Sequence, residues 1–273
     1  MKNILVISSS RSEYGLLKNL ILDFNKSKKI NLFLVITGTH LSQNYGYTLD
    51  EILKDNIKIS SFVKLDYTKD TDNSVAQNIS KLMISISKFV TKNKINLCVL
   101  LGDRYEIFAS AIACVIKRIK IAHLHGGELS EGATDEIFRH SITKMSNLHF
   151  VATKQYKKRV IQMGENPKNV FNFGALSNDT INKIDFLSEF ELKNKINFKS
   201  YKKNIVVCYH PETAIPLKNE KNIDALLSAL RNFSNIGIIF TYPNSDPGSL
   251  IIIKKFKNFM KKNSNAILIK SLG

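Results

Sequence analysis

Residues 97–106 read Leu97-Cys98-Val99-Leu100-Leu101-Gly102-Asp103-Arg104-Tyr105-Glu106, and residues 120–124 read Lys120-Ile121-Ala122-His123-Leu124. Leu97–Leu101 is an apolar run too short for a helix and closed by a glycine, which is the pattern of a buried strand. Glu106–Lys117 carries apolar residues at helical spacing, and Lys120–Leu124 is a second short strand. The strand–helix–strand unit recurs on both sides. Upstream lie strand Asn3–Ser8, helix Tyr14–Lys26, strands Asn31–Thr37 and Phe62–Leu65, and a long helix over Ser74–Asn93. Downstream lie helix Asp135–Met145, strand His149–Thr153, helix Gln155–Met163 and strand Val170–Phe173. Repeated units of this kind predict an α/β protein, a parallel sheet covered by helices on both faces.

After Gly174 the pattern changes. Ser177–Lys199 is polar and reads as one or two connecting helices. A second series follows: strand Asn204–Tyr209, helix Asn222–Asn232, strand Gly237–Tyr242, helix Leu250–Lys262 and strand Ala266–Lys270. The first proline is Pro167, and Pro211, Pro216, Pro243 and Pro247 all fall in this second series. The expected organisation is a Rossmann-like doubly wound domain over 1–175, a connecting helical segment over 176–200, and a second Rossmann-like domain over 201–273. Three strands are fewer than the five or six of a usual doubly wound domain. The second domain therefore reads as truncated, with the chain stopping at Ser271-Leu272-Gly273.

The 273 residues are 44% hydrophobic and 23% charged, as in a folded globular protein, which excludes disorder, collagen-like repeats and a small disulfide scaffold. No run of about 20 apolar residues spans a membrane. Ser8-Ser9-Ser10-Arg11-Ser12-Glu13, after the first strand, is not a secretory cleavage region, so the cytoplasm is expected. Lys and Arg number 40 against 23 Asp and Glu, a net charge of +17. The lysines are scattered, often in pairs, with no basic run of five, so solvated lysine faces are expected rather than nucleic-acid binding. Cys98, Cys114 and Cys208 are few, odd in number and widely spaced, which speaks against disulfides and against a zinc site.

In parallel sheets, ligands bind beyond the carboxyl ends of the strands. Those loops hold Ser8–Gly15, Thr37-Gly38-Thr39-His40, Gly102–Glu106, His125-Gly126-Gly127-Glu128, Asp135-Glu136, Arg139-His140 and, in the second series, His210-Pro211-Glu212-Thr213. Five of six histidines lie in or beside them. Each piece has two readings. The serine-rich turn either caps the first helix or holds an anion on its free N–H groups. Asp103 either caps a helix or serves as a general base. Gly126-Gly127 either permits close approach of a ligand or belongs to packing. No Gly-x-Gly-x-x-Gly, Walker or Gly-x-Ser-x-Gly motif supports an NAD, ATP or serine-hydrolase reading.

Ser10–Gly15, Thr37–Ser42, Gly102-Asp103-Arg104, His123–Glu128, Asp135–Lys144, His210–Thr213 and Pro243–Asp246 together resemble the hydrolysing UDP-N-acetylglucosamine 2-epimerases, nearest to the bacterial sialic-acid and legionaminic-acid pathway type. The resemblance implies the two-domain GT-B-like fold shared with many nucleotide-sugar glycosyltransferases. It implies removal of the sugar C2 proton, elimination of UDP and addition of water, with no redox cofactor; independently, no His-x-x-x-His or cysteine pair supports a metal site. By resemblance, Asp103, Glu128 and Asp135 do acid–base work and His210 serves the leaving-group side. Arg11 and Arg104 contact the uridine or diphosphate, and His40, His125 and Arg139 line the site. The partner implied is a UDP-sugar substrate, with the protein itself a homo-oligomer. The family's phosphate-gripping Gly-Asn-Ser-Ser-type loop is not reached by residue 273. A glycosyltransferase on the same fold, or a non-catalytic nucleotide-sugar-binding form, is the alternative.

Overall fold

The computed structural model describes residues 1–199, 201–214 and 218–270; Pro216 and the Ser271-Leu272-Gly273 end noted above lie outside them. The chain divides into two compact units. The first comprises Met1–Gln43, Tyr47–Tyr67 and Asn73–Ile184; the second comprises Asn44–Gly46, Thr68–Asp72 and the chain from Asp185 onward.

The first unit runs β1 (Lys2–Ser8), α1 (Arg11–Lys26), β2 (Ile30–Thr37), α2 (Leu49–Leu53), β3 (Ser61–Val63), α3 (Asp72–Lys92), β4 (Leu97–Leu101), α4 (Tyr105–Ile116), β5 (Lys120–Leu124), α5 (Asp135–Met145), β6 (Leu148–Val151), α6 (Lys154–Gln162), β7 (Val170–Asn172) and α7 (Leu176–Ile181). Its seven strands are all parallel, in the order β3-β2-β1-β4-β5-β6-β7. The central strands are apolar on both faces because helices cover both. Leu5, Val6, Ile7, Leu34, Ile36 and Leu100 are inaccessible to solvent. Burying one such side chain contributes roughly 1.5–3 kcal/mol. In α1 the stripe Tyr14, Leu17, Ile21 recurs at helical spacing and is buried against the sheet. Ser10 starts that helix, its hydroxyl accepting from the Glu13 N–H.

The second unit holds α8 (Glu189–Ile196), β8 (Asn204–Val207), α9 (Asn219–Leu230), β9 (Gly237–Thr241), α10 (Ser249–Met260) and β10 (Ala266–Ile269). Its three parallel strands run β10-β9-β8. Ile223, Ile238, Phe240, Ile252 and Phe256 form the core, with the Phe240 and Phe256 rings stacked at 4.2 Å. Ser188 and Glu191 close a capping box that fixes the start of α8. Asp70, from one of the earlier stretches, accepts from the Gly248 and Leu250 N–H groups at 3.1 Å and caps α10. Among the described residues no helix is long and apolar enough to cross a membrane.

Candidate active site

The strand order reverses between β1 and β4, so the β1–α1 and β4–α4 loops diverge and leave a crevice at the carboxyl edge of the first sheet. Gly102, at φ +81°, turns the chain out of β4, and Asp103 follows it. An Asp103 carboxylate oxygen accepts from Ser130 Oγ at 3.2 Å and is ion-paired with Arg139 Nη2. Arg139, on α5 and nearly buried, also donates through Nη1 to the His125 carbonyl at 2.7 Å. The same Nη1 lies 3.7 Å from a Glu128 oxygen. One guanidinium thus holds two carboxylates carried by the ends of two neighbouring strands.

His125, just past β5, has φ +63°, a region that L side chains rarely adopt. Its Nε2 accepts from the Leu176 N–H at 3.4 Å. In the neutral ring Nδ1 then carries the proton and donates to Glu128 Oε1, 2.8 Å away. Asp135 is the first residue of α5, one turn before Arg139 and on the same face. Asp103, His125, Glu128 and Arg139 are therefore brought together beside α5 in the first unit, with Asp135 at the start of that helix.

Other predicted residues have different settings. Arg104 turns its guanidinium inward onto Glu106, with Nε to Oε2 at 3.1 Å and Nη2 to Oε1 at 3.3 Å. His40 is buried between Ser8 Oγ at 2.9 Å and Thr48 Oγ1 at 2.7 Å; burial pushes its pKa down to about 3 and keeps the ring neutral. Arg11 is the first residue of α1, at the positive end of the helix dipole. His210 belongs to the second unit, beyond β8. Its Nδ1 accepts from the Asn244 N–H at 3.2 Å and its Nε2 is 3.3 Å from Cys208 Sγ.

The glycines at 126 and 127 are occupied by packing rather than open to a ligand. A Cβ on Gly126 would stand 3.0 Å from both His123 Nδ1 and Thr143 Oγ1. One on Gly127 would stand 2.7 Å from the Tyr156 carbonyl oxygen. His123, counted above among the loop histidines, lies inside β5 and is fully buried. Its Nε2 donates to the Gly102 carbonyl at 2.8 Å, and burial pushes its pKa down to about 3. Three acceptors and donors of this edge carried no role in the sequence reading: Ser130, Glu106 and Glu13. Glu106 is inaccessible to solvent and also accepts from the Tyr67 hydroxyl at 2.7 Å. Glu13 accepts from Ser9 N–H and Ser9 Oγ, both at 2.7 Å. Burial pushes the Glu13 pKa up to about 7 against the pull of Arg104. A carboxylate within an apolar helix segment, as at Tyr105-Glu106-Ile107, was the available signal for Glu106.

Two parallel α/β units, with a carboxylate–arginine array at the switch-point edge of the first, define a Rossmann-like protein of the doubly wound class. Residues 22–273 match the UDP-N-acetylglucosamine 2-epimerase family, and the chain belongs to it. It is 37% identical over its whole length to a Campylobacter jejuni protein named GDP/UDP-N,N'-diacetylbacillosamine 2-epimerase (hydrolyzing), covering 71% of that protein. It is 39% identical over 98% of its length to the Escherichia coli polysialic acid biosynthesis protein P7, covering 69% of that chain. Its fold matches the crystal structure of a Neisseria meningitidis UDP-GlcNAc 2-epimerase bound to UDP-GlcNAc, with TM-score 0.77 and 16% identity, over 99% of this chain and 72% of the other.

Proposed function

We propose that the protein is a hydrolysing 2-epimerase of UDP-N-acetylhexosamines, UDP-N-acetylglucosamine or its 2,4-diacetamido-2,4,6-trideoxy relative, serving nonulosonic-acid synthesis. The observation that carries the reading is the pair Asp103 and Glu128 held on Arg139. The names of the C. jejuni and E. coli relatives support the reaction and the sugar class. A carboxylate takes the C2 proton while the C1–O bond to UDP breaks, leaving a C1=C2 glycal. Water then supplies hydroxyl to C1, and C2 regains a proton on its opposite face. Removal from one face and return to the other needs two acid–base groups, drawn from Asp103, Glu128 and Asp135. His125, as donor to Glu128, orients that carboxylate. Arg11 and Arg104, both in the first unit, stabilise the charge that develops on departing UDP. The substrate partner is the UDP-sugar alone; a cytoplasmic location and a homo-oligomeric form belong to the same proposal.

Incubation with each nucleotide sugar in heavy water tests it. The expected result is UDP plus free N-acetylmannosamine, or its trideoxy relative, with deuterium at C2. Retention of the original C2 hydrogen would exclude elimination. Transfer of the sugar to an acceptor would establish a glycosyltransferase, and binding without turnover a nucleotide-sugar-binding protein.

A further inference from the structure

Two carboxylates and one guanidinium are buried at the ends of β1 and β4. Glu106 holds Arg104 through two hydrogen bonds and Tyr67 through a third. Glu13 uses both oxygens on Ser9. The groups facing Glu13 are therefore Ser9 from the β1–α1 loop and the charges of Arg104 and Glu106 from the β4–α4 side. His40, which braces Ser8 from the β2 side, is neutral. Ser9 is itself pinned. Its carbonyl accepts from Thr39 N–H at 2.8 Å and Thr39 Oγ1 at 3.2 Å, and a Cβ on Gly38 would stand 2.2 Å from the same oxygen. The loop is thus fixed against Glu13, and a change of charge there acts in place.

One guanidinium balances one carboxylate. The second either holds a proton or leaves a net negative charge beside Arg104. We infer that Glu13 is a positioning residue which, by gaining or losing one proton, sets how much positive field Arg104 offers to the diphosphate of a UDP-sugar. This rests on the UDP-sugar reading above. Burial places the Glu13 transition near neutral pH, at about 7. Loss of the proton opposes the diphosphate, so KM rises with pH. Conversely, a diphosphate bound at Arg104 favours protonated Glu13, so binding draws in a proton.

The test is UDP titration by calorimetry near pH 7 in two buffers of different ionisation heat, on the wild type and Glu13→Gln. The wild type takes up roughly half a proton more than the variant. The phosphate of UDP itself titrates in both proteins and cancels in the difference. In steady state, wild-type KM rises roughly fivefold from pH 6 to pH 8, whereas the Glu13→Gln profile is flat and kcat keeps its pH profile in both. Ser9→Ala removes a donor to the ionised carboxylate and moves the KM transition to higher pH, which tests the idea even if Gln at 13 prevents folding. Equal proton uptake and parallel KM profiles, with UDP bound, overturn the role of Glu13 and leave the 2-epimerase reading standing. Failure of the wild type to bind UDP removes that reading, and this inference with it.

Discussion

Two arginine–carboxylate pairs sit at the carboxyl edge of the first sheet, and they differ in what surrounds them. Arg104–Glu106 is closed: side-chain exposure is 9% and 0%, and Tyr67 adds a further donor to the carboxylate. Arg139–Asp103 is open on one side, with Asp103 20% exposed and Glu128 24% exposed beside it. The same two residue types make a closed pair in one place and a solvent-accessible pair of carboxylates on one arginine in the other. Exposure of the carboxylate, and not the presence of the pair, separates the group proposed for acid–base work from the one that only holds its arginine.

The comparison breaks first at Glu106. Glu106→Leu takes two hydrogen bonds and a balancing charge from the buried Arg104 guanidinium, and chemical denaturation should record a loss of about 3–5 kcal/mol. Asp103→Asn, by contrast, should unfold at nearly the wild-type midpoint, because its carboxylate is partly solvated and the replacement nearly isosteric.

The second test is pH. The Glu13 pKa is raised in the folded state from 4.5 to about 7. The folded state therefore binds more protons between those values, and the associated stability is fully present below pH 4.5 and lost as pH rises through 7. The loss amounts to roughly 3 kcal/mol. Melting of the wild type against Glu13→Gln from pH 4.5 to 8 should show this component in the wild type only.

Turnover sharpens the other side. Asp103→Asn and Glu128→Gln should each lower kcat by roughly 10²-fold, the scale of one lost general acid–base group. A wild-type rate in either variant would remove that residue from the chemistry. The smallest effects concern the glycines. Gly127→Ala meets a backbone oxygen at 2.7 Å at a φ of +77° and should cost about 2 kcal/mol, whereas Gly126→Ala meets only side-chain atoms at 3.0 Å and should cost about 1 kcal/mol, both read from thermal melting.

The strand–helix alternation was legible because each strand is a short apolar run and each helix an amphipathic stripe, both local signals. Segment ends were less so. The strand expected over Asn204–Tyr209 is β8, which stops at Val207, and α9 begins at Asn219, earlier than the expected Asn222. The cluster of Asp103, Glu128 and Arg139 was marked by its place in strand-end loops. Glu13 and Glu106 lie in the same loops but drew no role, because a carboxylate in the first turn of a helix is expected on dipole grounds alone. Their burial is decided by distant partners, Tyr67 lying 39 residues from Glu106. The two readings of Gly126-Gly127 could not be separated in sequence for the same reason: the atoms that fill the space beside Gly127 belong to Tyr156 and Val160 of α6.

His125 holds a left-handed backbone conformation that Asn or Gly would adopt with less strain, on the order of 1 kcal/mol. Its contact with Glu128, partly exposed, is worth at most about the same. Evolution in the laboratory would therefore treat this position in opposite ways under opposite selections. A library screened for heat resistance alone accumulates Asn and Gly at 125 and yields sturdy, slow proteins. A library screened for product keeps the imidazole and retains the strain with it.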